Sequence, residues 1–525
     1  MPEPADLSWY RLSEPPAPVR RWWWPARKRH TRDALACLTL AVLCFSQART
    51  ETLLLGRWDF YSRAPLTAAT LLALVLNLLG LTAVAYAAVQ GIRRAERPAW
   101  RRVGAVAATA ALLVALNYAR LTYETLDRVT DAIGRPVLVA VVVLAVGIAL
   151  GWPRPTLRVI HGVALLASPL AVLVLLSALV MFLELAAGPV WRWVDPKPTH
   201  LAPPSLRRVV WLVFTELDQG LVFEARPPGL ELPELDRLRR ESLYADAARP
   251  PAGTTDLSMP ALITGRPVVA VAPANPHELQ LTFADGTTAK WSAPPNVFSR
   301  ARVLGYDTAI IGWRLPYPRV LGGALGLADW RPSLAYEQAR GDTLGQALLN
   351  QWASLAPPLH ARRLYTQRFA ELGDLAFRAA ADGRFGLVVL HLPIPQLPGI
   401  YDRATRRLTT SNFNGALAEY LDNLALADRL IGDLRRGLER TRVDDRTWLV
   451  VSSDQPWKGS RHYDGEVDGR VPFLVRPPGG GPAMHADAPF NTLVTHDLVL
   501  RILRGSISDT REVATWLTRQ ASPAS

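Results

Sequence analysis

RRVVWLVFTELDQ, residues 207–219, holds six apolar residues in a row from Val209 to Phe214, and then turns polar at Thr215. No polar residue alternates with them. A strand with one wet face alternates, so this one is buried on both faces, as in a parallel sheet covered by helices. The polar residues that follow stand at its C-terminal end, where open α/β sheets bind ligands. Glu216 and Asp218 are therefore candidates for a site.

The pattern repeats further along. YDTAIIGW (306–313), FGLVVLHLPIP (385–395), TWLVVSSDQ (447–455) and VPFLVRPPG (471–479) read as further strands. VVAVAP (268–273) and ELQLTFADGTTAKWS (278–292) read as strands too, the latter a hairpin turning at Ala284-Asp285-Gly286. ELPELDRLRRESL (231–243) and FNGALAEYLDNLALADRLIGDLRRGLER (413–440) have helical spacing. Strands alternating with helices predict an α/β domain with a mixed, largely parallel sheet flanked by helices. Three strands end in polar residues from distant parts of the chain: Glu216 and Asp218, His391, and Asp454.

The first 190 residues differ in kind. Apolar segments run over 33–55, 66–91, 103–121, 136–153 and 162–188, and about 20 such residues span a bilayer. They predict a five-helix transmembrane bundle (33–190) behind a basic N-terminus (1–32), a Pro-rich linker (191–205) and an outer domain (206–525). Lys and Arg number 14 in the N-terminus, the 92–102 loop and the 153–158 loop, against four in the loops at 56–65 and 122–135. Positive charge marks the cytoplasmic side, so the N-terminus is inside and five crossings leave the C-terminal domain outside. The expected location is a bacterial-type inner membrane, with the large domain periplasmic. No buried charge pair in the spans points to a transport path.

The same charge distribution accounts for much of the net charge of +13. There is no basic stripe with interleaved aromatics, so no nucleic-acid partner is expected. Both cysteines, Cys37 and Cys44, lie in one apolar run. They form neither a disulfide framework nor a metal site.

AGTTDLSMPALITGRP (252–267) reads as a polar turn entering a helix. Thr255 is there either a helix cap or a nucleophile: threonine caps well, but its hydroxyl is inert at neutral pH without a base or a cation. A helix N-terminus also supplies donors for an anion. His391 stands at a strand end, and His462 lies in GSRHYDGE (459–466). Arg266 is expected to pair locally, and His277, His360, His485 and His496 carry no site reading.

Taken in order, VVWLVFTELDQ, the 252–267 segment, ARVLGYDTAIIGW, VVLHLPIPQLPGIYD, DNLALADRLIGDL and DDRTWLVVSSDQ followed by RVPFLVRPPG resemble the sulfatase branch of the alkaline phosphatase superfamily. Within it, the chain is most similar to membrane-anchored phosphoethanolamine and phosphoglycerol transferases. That resemblance covers about residues 207–480. It implies a transferase or hydrolase of phosphate or sulfate esters, acting on an envelope lipid or glycan. It implies Thr255 as nucleophile, His391 and His462 as further catalytic candidates, and one divalent cation (Zn, Mn, Mg or Ca) on Glu216, Thr255, Asp454 and Gln455. No formylglycine is expected, because Leu257 and Met259 stand where a sulfatase nucleophile is followed by Pro and Arg. Gln455 and Gln396 replace family histidines. An amide oxygen suits a harder cation than an imidazole does. The alternative is a pseudoenzyme, its metal site degraded, that binds an envelope lipid, a glycan or a partner protein.

Overall fold

The computed structural model describes residues 26–54, 60–63, 66–94, 97–122, 135–186, 207–334, 337–355, 357–460 and 468–520. They fall into two compact units, residues 1–49 with 74–180 and residues 50–73 with 181–525.

In the first unit and along its joins to the second, the chain is helical. Ala68–Arg94, Pro98–Asn117 and Ser168–Ala186 are long and apolar enough to cross a membrane. Pro136–Gly151 and Pro153–Leu166 meet at 114° and qualify when counted as one span. That makes three such helices, or up to four, among the described residues, where the sequence shows five apolar segments. The segment at 33–55 is helical over Ala26–Cys44 and Ser46–Arg49, then passes into a π-helix over Thr50–Leu54. Its charges, Asp33, Arg49 and Glu51 among them, keep it less apolar than the others. One charge pair lies at the ends of these spans. Asp33 is 2% exposed, takes Arg93 Nη2 at 2.7 Å, and faces His161 Nε2 at 3.1 Å. Asp33 opens one apolar run, and Arg93 and His161 flank others. No single run therefore shows the pair.

The C-terminal unit is built on an eight-stranded sheet. In chain order its strands are β1 (Arg208–Thr215), β2 (Leu243–Ala245), β3 (Asp307–Trp313), β4 (Leu327–Arg331), β5 (Phe385–Pro395), β6 (Thr447–Ser453), β7 (Phe473–Arg476) and β8 (Met484–Ala486). The spatial order is β8-β2-β7-β6-β1-β5-β3-β4. β6, β1, β5, β3 and β4 run parallel, and β7 is antiparallel to both its neighbours. Every residue of β1, β5 and β6 is buried. Odd-numbered Val209, Trp211 and Val213 join one core, with Met259, Phe298 and Leu498. Even-numbered Val210, Leu212 and Phe214 join the other, with Tyr365, Phe369 and Leu424. This is the two-faced burial that an unbroken apolar run requires. Arg208 pins the N-terminal ends of the central strands, donating to Phe385 O, Ala380 O and Thr447 Oγ1 at 2.8–3.0 Å.

The helix Ala416–Arg440 matches its sequence pattern. The hairpin expected around Ala284–Gly286 forms, but it belongs to a separate three-stranded antiparallel sheet over Val268–Lys290. A further part of this unit comes from far upstream. Phe60 is fully buried and Tyr61 nearly so, and both join the core that contains Trp291 and Tyr317. Arg319 holds this segment by donating to Phe60 O at 2.8 Å and also to Ser62 O.

Candidate functional site

The central strands β6, β1 and β5 are neighbours, so their carboxyl ends meet. The register sets Phe214 beside Ser453 and Val213 beside His391. One residue past each end stand Glu216 and Asp454, and Asp454 N is tied to Phe214 O at 2.9 Å.

Thr255 reaches this point from the side. It is the first residue of the helix Thr255–Thr264, whose N-cap is Thr254, in extended conformation and with no side-chain capping bond. Thr255 is thus not the cap. Its hydroxyl donates instead to Asp454 Oδ2, 199 residues away, and its side chain is buried. Asp454 is fully buried, and its other oxygen, Oδ1, has no hydrogen-bond partner among the described residues. Such an orphaned acceptor costs free energy unless something fills the place, so it calls for an explanation.

His391, also fully buried, lies alongside. Its Nε2 is 3.5 Å from Asp454 Oδ2 and 3.3 Å from Thr215 Oγ1, and its Nδ1 is 2.8 Å from the Tyr317 hydroxyl. Tyr317 is held above the usual phenol range by complete burial, then by the charges of Asp454 and Asp256. It therefore remains a neutral donor or acceptor to the imidazole.

Glu216 has a positive φ of 68°, a conformation that non-glycine residues adopt mostly under constraint. Its neighbours impose it. Tyr420 donates to Glu216 O at 2.6 Å, and Leu217 N donates to Ser453 Oγ at 3.0 Å. Burial pushes the Glu216 carboxyl up to about 7; the Lys458 charge opposes this, Asp454 adds to it, and a Gln396 hydrogen bond at 3.4 Å opposes it. Gln455 is 2% exposed, and its amide oxygen is also buried without a partner among the described residues.

The structure therefore brings Thr255, Asp454, His391 and Glu216 into one cluster, with Gln396 against Glu216 and Gln455 next in chain to Asp454. His462 lies outside the described residues. Asp218 accepts from Leu221 N at 2.8 Å and so shapes its own loop. Arg266 pairs with Asp285 at the surface. His485 faces Asp246, His360 faces Gln338 O, and His496 packs under Gly265. Among the described residues, no group of three or more His, Cys, Asp or Glu side chains is placed to hold a metal. The oxygens on offer include an amide and a hydroxyl.

Sequence reasoning missed the residues that orient this cluster. Tyr317, Tyr420 and Ser453 act through tertiary contacts, and so does Arg314, which grips Asp256 through two hydrogen bonds of 2.7 and 2.6 Å. The proline-flanked turn LPYPR after β3 was the one local signal for Tyr317.

A buried hydroxyl at a helix N-terminus, bonded to a carboxylate at the end of a parallel strand, lies where α/β proteins bind ligands and where a helix N-terminus offers donors to an anion. A family model described as Sulfatase matches residues 209–504. The chain belongs to the sulfatase family. Among solved structures it is similar to a sulfatase from Pseudoalteromonas sp., at 14% identity, covering 57% of this chain and 67% of that one, with a TM-score of 0.41. It is also similar to a phosphonate monoester hydrolase from Silicibacter pomeroyi, at 15% identity, covering 61% and 78%, with a TM-score of 0.38. A third is an alkaline phosphatase superfamily protein from Vibrio parahaemolyticus, at 13% identity, covering 58% and 68%, with a TM-score of 0.36. No curated protein matches the chain.

Proposed function

We propose that the protein is a membrane-anchored hydrolase or transferase of phosphate or sulfate esters carried by envelope lipids or glycans, with Thr255 as its nucleophile. The observation that carries this reading is the Thr255 hydroxyl bonded to Asp454, a carboxylate with its second oxygen buried and unpartnered. Thr255 Oγ would attack phosphorus or sulfur in line and pass its proton to Asp454. The bond from Thr255 Oγ forms, the ester bond breaks, and the departing alkoxide takes a proton from water. Attack by water, or by an acceptor alcohol, on the Thr255 ester then restores the hydroxyl. Donors at the start of the Thr255–Thr264 helix offset charge on the transferred group. His391, fixed by Tyr317, keeps Asp454 in place and lies next in line for the proton.

The residues fit a divalent cation. Asp454 Oδ1 and Gln455 Oε1 are buried acceptors in need of a partner, Glu216 adds a second carboxylate, and Thr255 a hydroxyl. Such a cation would bind an oxygen of the transferred group and neutralise part of its charge. All these donors are oxygens, and His391 has both nitrogens facing other side chains. That set favours magnesium, calcium or manganese over zinc.

The packing of Phe60 and Tyr61 into the C-terminal unit supports the membrane topology. Residues 60–63 and the catalytic domain then share one side of the membrane, so the chain between them must cross an even number of times. Counting the bent pair as one gives four spans there. With the basic N-terminus cytoplasmic and the 33–55 segment taken as a fifth crossing, the shared side is the periplasm, across the inner membrane.

Thr255→Ala in the full chain is expected to abolish turnover of an aryl phosphate or aryl sulfate probe while leaving the unfolding temperature in place. Wild-type turnover in that variant would remove Thr255 as nucleophile. The pseudoenzyme remains as a second reading because Gln455 and Gln396 stand where family members carry histidine. Cation titration separates the two. A cation at about 100 times its dissociation constant stabilises by about 2.7 kcal/mol, and an Asp454→Ala variant should lose that gain. No stabilisation by any of the four cations would favour the binding-protein reading.

A further inference from the structure

The stretch LGQALLNQWASLAPPL, residues 344–359, has no charged side chain, in a protein that is 20% charged. Its first ten residues, Leu344–Ala353, form a helix started by Thr343, whose hydroxyl accepts from Gln346 N. A core helix would bury its apolar residues. This one leaves Leu349 71% and Trp352 44% exposed, one turn apart. The surface continues onto the next helix. Leu359 is 56% exposed, and Phe413, 50% exposed, lies against Arg362 one turn further on, 4.2 Å from ring centre to guanidinium.

The opposite face of the 344–353 helix shows where it stands. Gln351, fully buried, donates to Thr70 O at 3.0 Å, and Thr70 Oγ1 lies 3.5 Å from Gly341 O. Thr70 is in the first turn of Ala68–Arg94, a helix apolar enough to cross a membrane. The uncharged helix is thus hydrogen-bonded to the point where a span begins. Exposed leucine and tryptophan at that level match an interfacial segment, with the aromatic ring at the head groups and the aliphatic side chains below it.

We propose that residues 344–355, with Leu359 and Phe413, form a lipid-contacting surface of the catalytic domain, seated in the outer interface of the same bilayer that holds the Ala68–Arg94 span. The inference rests on the membrane-anchored reading above. The occupant is lipid rather than a protein, because the helix is hydrogen-bonded to the first turn of a span and carries no charge that could select a partner. Seated this way, the domain is held against the bilayer by its own surface as well as by its linker, which suits an enzyme whose substrate is a lipid head group.

The test uses the full chain in lipid nanodiscs, with Cys37→Ala and Cys44→Ala as background. An environment-sensitive fluorophore is placed at Leu349→Cys, at Leu79→Cys within the span, and at Val303→Cys, which is 88% exposed in the catalytic domain. Lipids spin-labelled near the head group or along the acyl chain serve as quenchers. The labels at 349 and 79 are expected to be blue-shifted and quenched several-fold more than the label at 303, with head-group quenchers the stronger at 349. Quenching at 79 but not at 349 would overturn the inference and leave the anchor reading standing. A blue shift at 349 without lipid quenching would mean that protein, either a second copy or a partner, covers the surface, and would equally overturn it. No quenching at 79 would remove the anchor reading, and this inference with it.

Discussion

Replacing Phe60 with alanine should destabilise the catalytic unit by about 3–5 kcal/mol, the usual cost of truncating a buried phenylalanine. The magnitude follows from its surroundings. Phe60 has no exposed surface, packs edge-on against Tyr61 with ring centres 5.0 Å apart, and belongs to the core that takes in Met259 and Leu262 of the Thr255–Thr264 helix. Arg319 fixes its backbone by donating to the carbonyl on either side of Tyr61, so the segment cannot easily collapse into the void. In a domain of this size each kcal/mol moves the midpoint by roughly 2 °C, so a drop of roughly 6–10 °C is expected. The assay is thermal unfolding of the full chain in detergent, followed by tryptophan fluorescence. Val303→Ala is the control and should stay within about 1 °C of wild type, since surface truncations cost little. If Phe60→Ala matched that control, residues 60–63 would not be part of the catalytic core, and the even-crossing argument would fall with them.

Two other perturbations test separate parts of the structure. Asp428, buried on the Ala416–Arg440 helix, accepts from Leu235 N at 2.7 Å and so caps the neighbouring helix; burial pushes its carboxyl up to about 7. An acid with a raised folded-state pKa favours folding below its ordinary value of 3.8 and loses that contribution as pH rises through 7. Asp428→Asn keeps the acceptor without the charge, so it should match wild type near pH 4 and exceed it by about 2–4 kcal/mol at pH 8. A gap between the two proteins that does not change with pH would refute this. Gly312→Ala would set a Cβ 2.2 Å from the Tyr317 ring. The ring would shift away from His391, and turnover should fall about tenfold, equivalent to about 1.4 kcal/mol in the barrier. Turnover at the wild-type rate would show that the Tyr317–His391 contact does not position the site.

Most of this architecture was legible because it rests on local signals. The runs 209–214, 387–394 and 447–451 lack alternation, and strands buried on both faces write themselves that way. Glu216, Asp454 and His391 could be found because polar residues ending such runs converge at one sheet edge. β2 and β8, at three residues each, are too short to show a period. Tyr317, Tyr420 and Arg314 could not be read because their roles are contacts across more than 50 residues of sequence. The same holds for Phe60 and Tyr61, which read as a loop between spans when only their neighbours in sequence are considered.

Those unread contacts connect residues 60–63 to the candidate site. Asp256 follows Thr255 in the first turn of the Thr255–Thr264 helix, where its carboxylate would repel an incoming anion. Arg314 takes both of its oxygens, and its guanidinium also lies 5.8 Å from the centre of the Tyr61 ring. Arg314 itself holds a positive φ of 68°, a constraint the surrounding contacts must maintain. The helix N-terminus thus stays electrostatically open to an anion through a residue packed beside the segment that leads into Ala68–Arg94, a helix apolar enough to cross a membrane. A catalytic domain separated from residues 60–63 would lose two core aromatics and one side of the Arg314 pocket together. On the proposed function, its loss of activity would then reflect a displaced Thr255 as well as lost access to lipid.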